Sequence, residues 1–224
     1  METYRNPFHA SHLYLRLTEE EADAHSPASI AELSEKYGLP LQVMVFSEAK
    51  GTISLLQRSG FELKRRCYEL QVSSSDLLVH VSKGIPPLSF TKKDSSAYFA
   101  CAELLYHYYQ DTHAAVNPLT ASLPEFMEDL PDEVLYDGPS DRPTSAAFIE
   151  GNEIAYLCSH DRTGFPAFAR SMLADLFDRY AQIAFEADDT DWAVTTVKEM
   201  FFIKIDRSFD TYVYLNQPCG YDKL

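Results

Sequence analysis

The sequence has little that would tie it to a nucleic acid, a membrane or an oxidising compartment. Lys and Arg number 19 against 34 Asp and Glu, for a formal charge of −15. A nucleic-acid backbone or an anionic bilayer needs clustered cations, so neither is expected as the main partner. Net charge of this sign speaks first to solubility, and it leaves cationic substrates open. No apolar run approaches the ~20 residues of a membrane span, and METYRNPFHASH lacks the basic end and apolar stretch of a leader. A cytoplasmic location is therefore expected. Four cysteines, Cys67, Cys101, Cys158 and Cys219, are scattered without a CxxC pair. That suits reduced thiols better than a disulfide frame or a zinc site. His9 and His12 lack a third ligand nearby, so no metal site is expected.

What is present suffices for a core. The 224 residues are 46% hydrophobic and 13% aromatic, enough for one large domain or two small ones. Leu13–Leu17 alternates as a strand does. Ser26-Pro27 opens a helix that Gly38 can close, since Ser caps, Pro suits the first helical position and Gly tolerates a left-handed end. A short apolar strand, 41–46, follows. A helix over 50–59 ends at Gly60, and 61–72 is a strand. The acidic stretch 19–23 reads as exposed. Residues 77–81 extend the strand region, and Gly84-Ile85-Pro86-Pro87 marks a boundary because two prolines break helix and ladder alike. Beyond it come a strand near 88–90, a helix over 95–110, a short helix at Phe126, and strands at 134–136 and 145–149. Glu150-Gly151-Asn152 turns tightly into a strand over 153–158. A helix over 166–180, a strand over 182–186, a helix over 192–200 and strands at 202–205 and 211–215 complete the reading.

One unit recurs. SLLQRSGFELKRRCYELQV (54–72) runs helix, turn, strand, and TTVKEMFFIKIDRSFDTYVYL (195–215) repeats that order. Strand-helix-strand-helix-strand over 13–72 matches 153–215. This element order, with a helix ending in Gly-Phe before the last strands, resembles the GCN5-related N-acetyltransferase (GNAT) superfamily. The resemblance covers most of the chain and implies an α+β (α/β) fold, a mixed central sheet flanked by helices, in two tandem copies. The expected division is a shortened first copy at 1–76, a linker at 77–87, a fuller copy at 88–216 and a tail at 217–224.

The resemblance also implies acetyl-coenzyme A, with its pyrophosphate at a helix N-terminus and small residues where the backbone approaches it. The matching segment is Gly164-Phe165-Pro166-Ala167-Phe168-Ala169. The cofactor contacts it implies are Cys158, Arg162, Gly164, Phe165, Ala167, Phe168, Ala169 and Thr190. TEEEADAHSPAS, before the first copy's helix, is acidic and has no glycine, so no cofactor is expected there. The family's helical Tyr, which protonates the leaving thiolate, falls on Leu56 and Val197, and an Asn before that helix falls on Ala49 and Thr190. The catalytic groups are thus unassigned, with Tyr156 and Tyr180 as substitutes. Cys158-Ser159-His160-Asp161 is not read as a triad, because triad members converge from separate segments. The expected function is acetyl-coenzyme A-dependent acetylation of an amine; the alternative is a non-catalytic module binding a small molecule or a protein. A three-stranded first copy leaves open edges, so intimate contact between the copies or a homodimer is expected.

Overall fold

The computed structural model describes residues 1–22 and 24–215. Cys219 and the tail at 217–224 lie outside the described residues. Along the chain run β1 (Glu2–Tyr4), β2 (Leu13–Arg16), α1 (Glu19–Ala22), α2 (Pro27–Tyr37), β3 (Leu41–Phe46), α3 (Lys50–Arg58) and β4 (Glu62–Ser73). Then come β5 (Ser89–Lys92), α4 (Ser96–His113), α5 (Leu123–Glu128), β6 (Glu133–Asp137), β7 (Ser145–Glu150) and β8 (Glu153–Ser159). The last elements are α6 (Phe165–Arg179), β9 (Gln182–Asp188), α7 (Trp192–Lys198) and β10 (Phe209–Tyr214). No described helix is long and apolar enough to cross a membrane.

Local chemistry sets the first repeat as the sequence suggests. Ser26 Oγ accepts from Ser29 N while Ser29 Oγ accepts from Ser26 N, so two of the N–H groups that a helix start leaves unpaired are capped reciprocally. Pro27 stands in the first turn, and Gly38 ends the helix at φ 63° with its N–H on Ser34 O. Gly60, at φ 86°, turns α3 into β4. An L-residue there would cost ~1–2 kcal/mol.

Contacts divide the chain into two compact units, and not at the expected linker. The first unit takes residues 1–66, 114–120 and, among the described residues, 207–215; the second takes 67–113 and 121–206. The stretch expected as a linker belongs to the second unit. There Gly84 N donates to Ser171 Oγ, and Ser171 Oγ donates to Pro86 O, tying the prolines to α6.

In the first unit β2 lies parallel to β3, and β3's other neighbour is β10, antiparallel from Phe209↔Phe46 to Tyr214↔Leu41. One face of these strands carries the core: Leu13, Leu15, Leu41, Val43 and Tyr212, packed with Ile30, Leu56 and Phe61. In the second unit β8 lies parallel to β9, and β9's other neighbour is β4, antiparallel from Cys67↔Asp188 to Ser73↔Gln182. β8, β7, β6 and β5 continue this sheet as antiparallel neighbours. The repeat is therefore real, and its last strands are exchanged. Copy one, β2-α2-β3-α3-β4, ends beside β9; copy two, β8-α6-β9-α7-β10, ends beside β3. The open edge of the shortened copy is covered by a strand from the far end of the chain, as a bare ladder of N–H and C=O groups requires.

Two largely apolar stretches expected as strand form none. Residues 77–81 form no strand; Leu77 makes one bridge to Phe201. Residues 202–208 form no element, since Lys204, Asp206 and Arg207 are exposed and give the stretch no buried face. The acidic stretch expected as exposed begins with the single helical turn α1, where Glu21 takes the Met1 ammonium at 2.5 Å. β1, unforeseen, pairs with β2 from Glu2↔Arg16 to Tyr4↔Tyr14.

Candidate functional site

The site begins where two parallel strands part. β8 and β9 pair at Glu153↔Ala184 and Ile154↔Phe185, at the start of β8. Further on, β8 continues on β7 through Tyr156↔Phe148, Leu157↔Ala147, Cys158↔Ala146 and Ser159↔Ser145, while β9 continues on β4 through Glu186↔Glu69, Ala187↔Tyr68 and Asp188↔Cys67. Each strand thus keeps its outer partner and leaves the inner one, so a wedge opens between 155–159 and 186–188. A wedge in a sheet offers the groups that a ladder would use, and an extended chain with amides can take them.

Side-chain alternation sorts the wedge. On the face of α4 and α5, the Tyr156 ring lies 6.4 Å from both Tyr109 and Phe126. Glu186 takes a hydrogen bond from Cys67 Sγ at 3.6 Å. Partial desolvation pushes the Glu186 carboxyl, whose side chain is exposed on β9, above its ordinary range; Asp188, Glu69 and Glu153 add to the rise, and the Cys67 bond opposes it. Burial also raises the Tyr156 hydroxyl, helped by Asp129, Glu186, Glu153 and Glu150. One group that holds its proton and one carboxylate that gains one unusually easily therefore share an acidic neighbourhood.

At the mouth of the wedge lies the loop 160–164, between β8 and α6. Gly164 stands at the N-cap with φ −79° and no side-chain cap. Its glycine is required by crowding, because a Cβ there would come within 2.3 Å of Asp161 Oδ2. Asp161 Oδ1 accepts from Thr163 N at 2.9 Å, and Asp161 O accepts from Phe165 N at 3.0 Å. Ala167 N and Phe168 N both donate to Gly164 O, at 3.0 and 3.4 Å. Pro166 has no N–H to give. A carboxylate thus lies against the start of α6, and Phe165 N, Ala167 N and Phe168 N are engaged within the chain.

The remaining expected site residues are placed as follows. Phe165, Phe168 and Ala169 are fully buried, so these three are core before they are contact surface; Ala167 is half-buried. Cys158 is buried, its thiol donating weakly to Ala146 O at 3.8 Å and pushed well up by desolvation. Arg162 is exposed and lies over the Trp192 ring at 4.9 Å, and Phe165 meets the same ring edge-on at 5.2 Å. Thr190 is exposed in the turn before α7. Tyr180 is the C-cap of α6, at the opposite end of a 15-residue helix from the loop. Val197 is buried on α7 and Leu56 on α3. His160 is exposed and Cys158 is buried, so their succession makes no triad. Among the described residues no group of three or more His, Cys, Asp or Glu is placed to hold a metal.

Sequence reasoning missed Tyr108. Its hydroxyl donates a very short hydrogen bond to Asp191 Oδ1 and accepts from Ala193 N at 3.2 Å. Asp191 caps α7, taking Ala193 N at 2.9 Å and Val194 N at 3.4 Å. Burial raises both groups, and the Asp191 charge raises the Tyr108 hydroxyl further. Asp directly before an apolar helical stretch was the legible signal; a Tyr 83 positions away carried none.

In the first unit the segment that corresponds to the loop is α1 and the capping box of Ser26 and Ser29. Its first-turn donors are thereby engaged, and acids precede them.

No protein-family model matches the sequence, and no curated protein matches it. Solved structures do match. A GCN5-related N-acetyltransferase from Sphaerobacter thermophilus superposes with a TM-score of 0.55 at 8% identity, over 95% of this chain and 75% of that one. One from Kribbella flavida gives 0.51 at 14%, over 92% and 82%. A conserved protein of unknown function from Enterococcus faecalis V583, described as a probable N-acyltransferase, gives 0.55 at 10%, over 94% and 56%. At these identities the likeness is one of fold: the chain has the GNAT fold, a mixed α+β arrangement of sheet strands flanked by helices.

Proposed function

We propose that the chain is an acyltransferase in which the wedge between β8 and β9 takes the acyl-pantetheine arm of acetyl-coenzyme A and passes the acetyl group to an amine. The parting of the two strands at 154 and 185 is the observation that carries this reading. An extended arm with two amides is complementary to unpaired strand edges at 155–159, which would hold the thioester at the narrow end by main-chain hydrogen bonds. The bound thioester supplies the activated acyl group. Glu186, with its raised affinity for protons, is placed to take one from an ammonium, and Tyr156 keeps its proton at neutral pH and so has one to give. Arg162 is the cation beside the loop for the diphosphate, and Asp161 opposes it. The residues present thus fit the arm of the coenzyme better than its diphosphate. Isothermal titration with acetyl-coenzyme A and with coenzyme A tests this: binding in the micromolar to millimolar range is expected, weakened by Ala167→Glu. Absence of binding at millimolar ligand would overturn it.

A second reading has its own support. Val197 and Leu56 stand where the fold's enzymes carry an acid, and Asp161 stands where they admit a phosphate. A non-catalytic module would bind the coenzyme weakly or not at all, and would leave an amine panel unacetylated.

A further inference from the structure

The first unit carries a second polar site that the wedge does not use. Its sheet has one apolar face, described above, and the opposite face sets Tyr14, Gln42 and Thr211 among Met44 and Val213. Tyr14 on β2 stands directly beside Gln42 on β3, and Gln42 stands opposite Val213 on β10, two residues from Thr211 on the same face. Gln42 and Thr211 have no exposed surface, Tyr14 has 3% and Asn117 has 5%. Two segments cover them. Thr120 N donates to Phe8 O at 2.7 Å, Ala10 N to Thr120 Oγ1 at 2.9 Å, and His9 Nδ1 meets Pro118 O at 3.3 Å.

Inside this cover, Gln42 Nε2, Gln42 Oε1, Tyr14 Oη, Thr211 Oγ1 and Asn117 Oδ1 are buried without a hydrogen-bond partner. Burial drives the Tyr14 hydroxyl up to about 12; the Asn117 amide, without a well-formed bond, and the Arg65 guanidinium act against the rise, and Tyr4 adds to it. An unpartnered buried polar atom is costly, and native interiors hold few of them. Both ends of the Gln42 amide are thus open to a partner.

We propose that this cluster of buried polar groups is a binding site for a small uncharged molecule bearing a carboxamide. An amide meets Gln42 through two antiparallel N–H···O bonds, one to Oε1 and one from Nε2. The Tyr14 and Thr211 hydroxyls and Asn117 Oδ1 take the atoms that remain. A carboxylate has no donor for Gln42 Oε1 and an ammonium has no acceptor for Gln42 Nε2, so neither alone meets both ends of that side chain.

The test is an NMR titration of the full chain with acetamide, following the Gln42 side-chain NH₂ signals, which Gln42→Leu identifies by their loss. The expected result is a saturating shift of these signals in the millimolar range, with acetate and methylammonium giving none. Gln42→Leu should abolish the remaining acetamide response, and Thr211→Val should weaken it about threefold to tenfold, while both retain the wild-type near-ultraviolet circular dichroism. If Gln42→Leu fails to fold, Thr211→Val alone decides. No saturation, equal shifts with all three probes, or a crystal structure grown in acetamide with only ordered water at Gln42 would overturn the proposal.

Discussion

Asp161→Asn keeps the shape of the loop before α6 and removes its charge. The amide oxygen of the new side chain would still accept from Thr163 N, as Asp161 Oδ1 does at 2.9 Å, so the loop should hold. The carboxylate lies against Gly164, at the N-cap of the helix that would face a diphosphate. Two like charges ~4 Å apart repel by about 4 kcal/mol at an effective dielectric of ~20. The loop is half-exposed and salt screens it, so about 1–2 kcal/mol should survive, or a ~5–30-fold gain in affinity. Titration calorimetry with coenzyme A reads this directly, and repetition at high salt should shrink the gain. Unchanged or weaker binding by Asp161→Asn, with an intact fold, would refute the placement of the diphosphate at 162–164.

Four further outcomes follow from the same structure. If Glu186 takes the amine's proton, the rate should rise with pH through a value above the ordinary glutamate range, and Glu186→Gln should remove that limb from the pH–rate profile. Because its folded pKa is raised, the protonated carboxyl favours folding at low pH and that contribution is lost as pH rises through the folded value. Glu186→Gln should therefore not lower the neutral-pH melting temperature. Tyr108→Phe removes the hydroxyl that donates to the Asp191 carboxylate, leaving only its main-chain partners, and should cost ~1–3 kcal/mol in chemical denaturation; a loss below measurement would contradict a stabilising role for that bond. Tyr212→Ala opens the first unit's core from β10 and should cost ~3–5 kcal/mol. The fragments 1–80 and 86–224 should each misfold when made apart and recover when made together, because β3 and β9 each lack a neighbour in isolation. Two stable, non-associating fragments would count against the exchange.

Much of this was legible because local rules agree with the fold. Ser26-Pro27, Gly38 and Gly60 marked α2, the end of α3 and the turn into β4, and the recurring helix, turn and strand pointed to a repeated unit. The exchange of the last strands was not legible. β3 presents the same alternation to β10 that it would present to β4, so periodicity cannot choose between partners. At the site, the resemblance matches the segment from Gly164 to Ala169, and nothing in that segment announces the Asp161 carboxylate that lies against Gly164. A small residue reports crowding and not what crowds it. Phe165 and Phe168, read as contact residues, are core for the same reason that they are apolar. The parting of β8 and β9 left no sequence mark, since outer partners satisfy each strand along its full length.

Amide hydrogen exchange with and without acetyl-coenzyme A tests the central claim most directly. The account predicts slowed exchange concentrated in 155–159 of β8, with little change in β5 or β6. Binding that leaves 155–159 unprotected, or protection elsewhere alone, would contradict it.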